Sequence, residues 1–161
     1  IALTHAPLGI EVLRRGIIFI DLAIAQIAGL GVVLASLLWD QPAWWGIQSL
    51  ALLSALVAAW GFSFAERRWP AQQEAIIGCG FVLAASLALL LLADHPHGGE
   101  EIQHLLSGQI LFVTWQDVLI HAPVYALILA LWFLWPQRFR RSVWFYTLFA
   151  AAITSSVQLV G

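Results

Sequence analysis

An all-α bundle of membrane-spanning helices is the fold class this sequence predicts. Three observations carry that prediction: apolar content, the length of the apolar runs, and the placement of arginine. Of 161 residues, 61% are hydrophobic and 10% are charged, and the mean hydropathy is +0.88. Soluble domains carry roughly 25% charged residues, so this chain lacks the groups to cover a folded surface with water-binding side chains. Five continuous apolar runs follow one another: Ile17–Trp39, Trp44–Phe64, Ala75–Ala93, Val118–Trp135 and Val143–Gly161. Each is close to the ~20 residues that a helix needs to cross ~30 Å of hydrocarbon. Lipid offers backbone groups no partner, so spanning segments are helices or closed barrels. The runs do not alternate apolar with polar, which selects helices.

The arginines orient the threading. The chain has no lysine and seven arginines: Arg14, Arg15, Arg67, Arg68, Arg138, Arg140 and Arg141. Threaded up and down, five spans place all seven on one side, which the positive-inside rule makes cytoplasmic. The opposite connections, 40–43 and 94–117, contain no basic residue other than histidine. Tryptophan follows the same registration, with Trp39, Trp44, Trp45 and Trp115 expected at the outer boundary and Trp69, Trp132 and Trp135 at the inner one. Inside the 94–117 loop, Ile102–Trp115 is apolar but shorter than a span, and reads as a re-entrant or interfacial segment broken near Gly108.

At this length the chain is one structural unit, a single transmembrane domain over 1–161. It begins at Ile1 and ends at Gly161 within an apolar run, and it reads as a piece of a longer protein with further helices on both sides. A net charge of −2 without a basic arm argues against nucleic-acid binding. The single Cys79 excludes a disulfide framework and is expected to be a buried thiol. Walker, nucleophile-elbow and His-Glu-x-x-His motifs are all missing from the sequence, so no enzyme chemistry is expected within it.

Two groups of residues carry chemical interest. Asp21 and Gln26 interrupt the first run. An ionisable group at mid-membrane costs ~2.5–3.5 kcal/mol on insertion scales, which makes it a candidate pathway residue. Asp21 shares a helical stripe with Ala25 and Gly29, whose small side chains would admit a neighbouring helix. Asp21 also lies near enough to the run's start to be hydrated from the cytoplasm. His95, His97 and His104 with Glu100 and Glu101 form the second group, in the outer loop. Imidazole and carboxylate suit divalent ions of the zinc class, although the spacing fits no closed tetrahedral template and a plain hydrophilic loop explains it equally. His121 and Pro123 read as structural, Asp117 as a helix N-cap, and Thr154, Ser155 and Ser156 as helix-packing hydroxyls.

Three ordered segments resemble the ABC-3 permeases of zinc and manganese importers. The stretch Gly9–Val32, "GIEVLRRGIIFIDLAIAQIAGLGV", is similar to the end of that family's first helix and its second helix. Leu105–Asp117, "LLSGQILFVTWQD", resembles the segment after its fourth helix, and Thr154–Gly161, "TSSVQLVG", the run before its next helix. The resemblance implies a permease subunit of an ABC importer in a bacterial inner membrane. Two copies would form the pathway, a separate cytoplasmic ATPase would drive it, and an extracytoplasmic metal-binding protein would deliver the ion. Zn²⁺ or Mn²⁺ would be the cargo, with no permanently bound cofactor. Two departures accompany it. Aligned on Gly31-Val32, the family's metal-associated Asp and His positions hold Leu22 and Gln26 here, and the connection after Trp135 is only Pro136–Arg141. These departures leave open a second reading, a non-transporting scaffold or assembly subunit that kept the permease fold.

Overall fold

The computed structural model describes residues 1–39, 43–93, 113–134 and 142–160, and all regular structure among them is helical. Among the described residues six α-helices follow in order: α1 (Ala2–Arg15), α2 (Ile20–Leu38), α3 (Trp44–Arg68), α4 (Gln73–Leu92), α5 (Trp115–Leu134) and α6 (Ser142–Val160). Each of the five apolar runs has become one helix, with ends displaced by a few residues. The helix α1 lies outside those runs because Thr4, His5, Glu11, Arg14 and Arg15 break its apolar pattern. Ile20–Leu38, Trp44–Arg68 and Pro70–Leu92 are long and apolar enough to cross a membrane, while α5 and α6 contain shorter apolar stretches at Val118–Leu134 and Val143–Val157.

The displaced ends have local causes. Gly16 adopts φ 69°, ψ 29°, and its N–H bonds Leu13 O while Ile17 N–H reaches back to Val12 O. This left-handed closure ends α1 and delays α2 to Ile20. At the far end of α3, apolar character stops near Phe64, but backbone hydrogen bonding continues for one more turn, to Arg68. Trp69 and a 3₁₀ turn at Pro70–Gln72 then reverse the chain into α4. The start of α5 corrects one expectation: the helix begins at Trp115, with Val118 N–H bonding Thr114 O, so Asp117 lies inside the first turn and is not the N-cap.

The bundle centres on α2, which packs against α3, α4 and α6, while α3 also packs against α6. Alanine makes this closeness attainable: Ala23, Ala28, Ala51, Ala55, Ala59, Ala150 and Ala152 are all at most 2% exposed. Between helices in lipid there is little hydrophobic drive, so close backbone approach and dispersion hold them together. The tightest approach is not at Ala25 and Gly29 as the stripe suggested, since a Cβ on Gly29 would meet open space. It is at Gly31, where a Cβ would lie 2.8 Å from Leu50 O and 2.9 Å from Ala51 Cα. Large apolar side chains such as Leu53, Val57, Phe64, Leu83 and Leu90 face outward from the helices, as suits a surface solvated by acyl chains.

Two further expectations change. Cys79 is exposed, not buried. Trp132 is 7% exposed and packs near Phe145, with ring centroids 6.4 Å apart. It is therefore a core residue and not part of an interfacial belt. Trp39, Trp44, Trp45, Trp69 and Trp115 are exposed, as belt residues would be.

Candidate functional site

Asp21 lies in the first turn of α2 and is exposed. Its Oδ1 accepts the backbone N–H of Leu22 at 2.8 Å. A carboxylate in the first turn is favoured by the positive helix end, so this position satisfies Asp21 locally. Gln26 is half-buried about one and a half turns further along α2. The structure does not bring Asp21 and Gln26 into contact with each other through any hydrogen bond among the described residues. His95, His97, His104, Glu100 and Glu101 lie outside the described residues. Among the described residues, no three His, Cys, Asp or Glu side chains converge as a metal cage would require.

The arginine-bearing ends of the helices meet in an ionic joint. Arg15 Nε donates to Glu11 Oε1 at 2.9 Å within α1, and Arg15 Nη1 donates to Glu66 Oε1 on α3 at 3.0 Å. The Arg15 guanidinium lies over the Phe145 ring of α6, 4.3 Å from its centroid. Beside it the Gln73 amide of α4 donates to the Tyr146 hydroxyl of α6, both buried. The backbone N–H of Phe19 donates to Glu74 Oε1 at 3.0 Å. Side-chain exposures of 12%, 11% and 22% for Arg15, Glu11 and Glu66 put these charges largely out of water. Such ions persist only with partners, and here one guanidinium serves two carboxylates and a ring face. The same contacts place the ends of α1 and α3 and the starts of α4 and α6 at one level, as the threading requires.

At the opposite end a mostly apolar pocket with a few polar groups opens between α3, α5 and α6. Its cavity of about 260 Å³ is lined by Gln48, Ser49, His121, Thr154 and Ser155, with Trp44 and four aliphatic side chains making up the rest of the wall. Thr154 and Ser155 are 2% and 6% exposed. Their hydroxyls, together with Gln48 Oε1, are buried without a hydrogen-bond partner. The Tyr125 hydroxyl on α5 is likewise buried and faces the Ser155 hydroxyl. One helix further round, His5 of α1 meets Ser156 of α6, Nε2 to Oγ at 3.2 Å.

This polar seam was only half visible in the sequence. Thr154, Ser155 and Ser156 stand out as three hydroxyls in an apolar run, yet hydroxyls there usually bond their own helix. Gln48 and His5 gave no comparable signal; an isolated amide and an isolated imidazole become notable only when topology gathers them.

Compared with known proteins, residues 1–161 match the profile of the ABC 3 transport family. Searches among curated proteins and among solved structures return no match.

Proposed function

The chain belongs to the ABC 3 transport family and is a multi-pass membrane permease of an ABC transporter; from that premise we propose that its cargo is a divalent metal ion of the zinc or manganese class. The family match along the whole chain is the single observation that carries this reading. The polar seam supports it, because a permease needs hydrated or hydratable groups at membrane depth that a purely structural bundle does not. Asp21 and Gln26 are proposed to border the pathway on α2, while His95, His97, His104, Glu100 and Glu101 gather ions near its outer mouth.

Import needs energy from a separate cytoplasmic ATPase pair, and an extracytoplasmic binding protein hands the ion over. Two copies of the permease frame the pathway, and the arginine-bearing ends face the cytoplasm. The ionic joint around Arg15 binds α1, α3 and α6 together at that end. A push received there moves several helices as one body, which alternating access requires.

Leu22 and Gln26 stand where a carboxylate and an imidazole were expected, and they favour one rival: a scaffold subunit that no longer transports. Uptake of radioactive Zn²⁺ and Mn²⁺ into cells expressing the complete transporter, against cells lacking this permease, separates the two. ATP-dependent accumulation of at least one ion is the expected result. Equal, background-level accumulation of both ions in the two strains would leave only the scaffold.

A further inference from the structure

We propose that the groove between α3 and α4 holds an acyl chain of an anionic phospholipid from the cytoplasmic leaflet, with the lipid phosphate at Arg68 beside Trp69. This assigns a lipid site that the transport reading does not include, and it rests on the threading rather than on the cargo.

Helix packing leaves the groove open. Both α3 and α4 pack extensively on α2 but touch each other little, so they diverge above it. The cavity between them, of about 510 Å³, has Ile27 and Leu30 of α2 as its floor and Gly61, Ala65, Gly80 and Ala84 on its walls. No charged or amide side chain lines it. The small wall residues keep it wide, and a Cβ on Gly61 would meet nothing within 4 Å. Apolar surface facing a void forfeits its dispersion contacts, and a flexible hydrocarbon chain restores them.

Length and charge select the occupant. On α4 the lining runs from Ile76 to Leu87, which is ~16 Å at the helical rise of ~1.5 Å per residue. That is the depth of one leaflet, since the hydrocarbon of a bilayer is ~30 Å thick. Trp69 closes the cytoplasmic end of the groove, its ring edge-on to Phe64 with centroids 6.1 Å apart. The Arg68 guanidinium lies over the same indole, 5.6 Å from the ring centroid. Both residues are exposed, at the level where aromatic and basic side chains meet headgroups. Among the described residues Arg68 pairs with no carboxylate, because Arg15 holds Glu11 and Glu66 while Glu74 Oε1 accepts the Phe19 N–H. Its N–H donors are therefore available to a phosphate, which a guanidinium binds in bidentate fashion. Anionic headgroups of the cytoplasmic leaflet complement such a site better than zwitterionic ones. A helix of a second copy would match the apolar length but brings no phosphate to Arg68.

The test places the permease in phosphatidylcholine nanodiscs with a trace of spin-labelled phosphatidylglycerol or, separately, spin-labelled phosphatidylcholine. Electron paramagnetic resonance then measures the motionally restricted fraction of each. Phosphatidylglycerol is expected to be restricted in preference to phosphatidylcholine. R68Q is expected to lower that preference by about fivefold. R140Q removes the same charge from the connection before α6 and is expected to keep it. G61L puts a side chain into the open groove and is expected to reduce the restricted phosphatidylglycerol. G78L makes the same change outside the lining, where a Cβ also meets nothing within 4 Å, and is expected to leave it unaltered. An unchanged preference in R68Q, an equal fall in R140Q, or unchanged restriction in G61L overturns the proposal. Loss of a dimer in G61L with lipid restriction intact also overturns it, and assigns the groove to a second copy.

Discussion

Gly31 sets the distance between α2 and α3. Any side chain there must displace backbone, because Leu50 O and Ala51 Cα stand 2.8 and 2.9 Å from where its Cβ would be. G31A is expected to destabilise the bundle by about 1–3 kcal/mol and G31V by more, read from thermal unfolding in detergent. G29A, where a Cβ meets nothing within 4 Å, should be neutral by the same measurement. From the sequence Gly29 and Gly31 are indistinguishable, since both lie in one apolar run with alanine nearby. Only the facing positions Ala51 and Ser54 decide between them, and no pattern within α2 contains that information. Asp21 was equally ambiguous in sequence; its first-turn position resolves the local part, because the Leu22 N–H and the helix end already account for its charge.

Among the elements, α1 was the least legible and has the most consequential contacts. Its charges break the apolar pattern, yet those same charges are what secure it: Glu11 and Arg15 are turned inward and paired. R15Q leaves Glu11 and Glu66 without their shared partner and is expected to cost roughly 3–5 kcal/mol. Neutralising Glu66 as well should recover part of that loss, so R15Q/E66Q is expected to unfold at a higher temperature than R15Q. An equal or lower midpoint for the double variant would show that the carboxylates are satisfied elsewhere. The five longer helices were readable because continuous apolarity at spanning length leaves no other structure available in lipid. Their ends were not, because caps and turns depend on single residues such as Gly16 and Trp69.

For the whole molecule, the threading predicted from arginine placement agrees with the contacts that join helix ends. Arg15 with Glu66 ties one level together, and His5 with Ser156 the other. Cysteine accessibility checks the orientation directly, because Cys79 is the sole cysteine. With C79S as background, H97C is expected to react with a charged maleimide added outside intact cells, and Q137C only after the membrane is opened. Labelling of both from outside would refute the threading. The candidate site was legible only in part for a reason of scale: Gln48, His121 and Thr154 come from three helices, and separation along the chain conceals what the bundle assembles.

The contact between His5 and Ser156 spans 151 positions, and this has a bearing on how the protein is made. At synthesis rates of about 5–20 residues per second, α1 emerges roughly 8–30 s before α6 exists to receive it. Its other principal neighbour, α5, is also made late. During that interval His5 lacks its Ser156 contact, whereas Arg15 can pair with Glu66 once α3 is made. The ionic joint is thus a contact available to α1 as soon as α3 is made, well before α6 arrives.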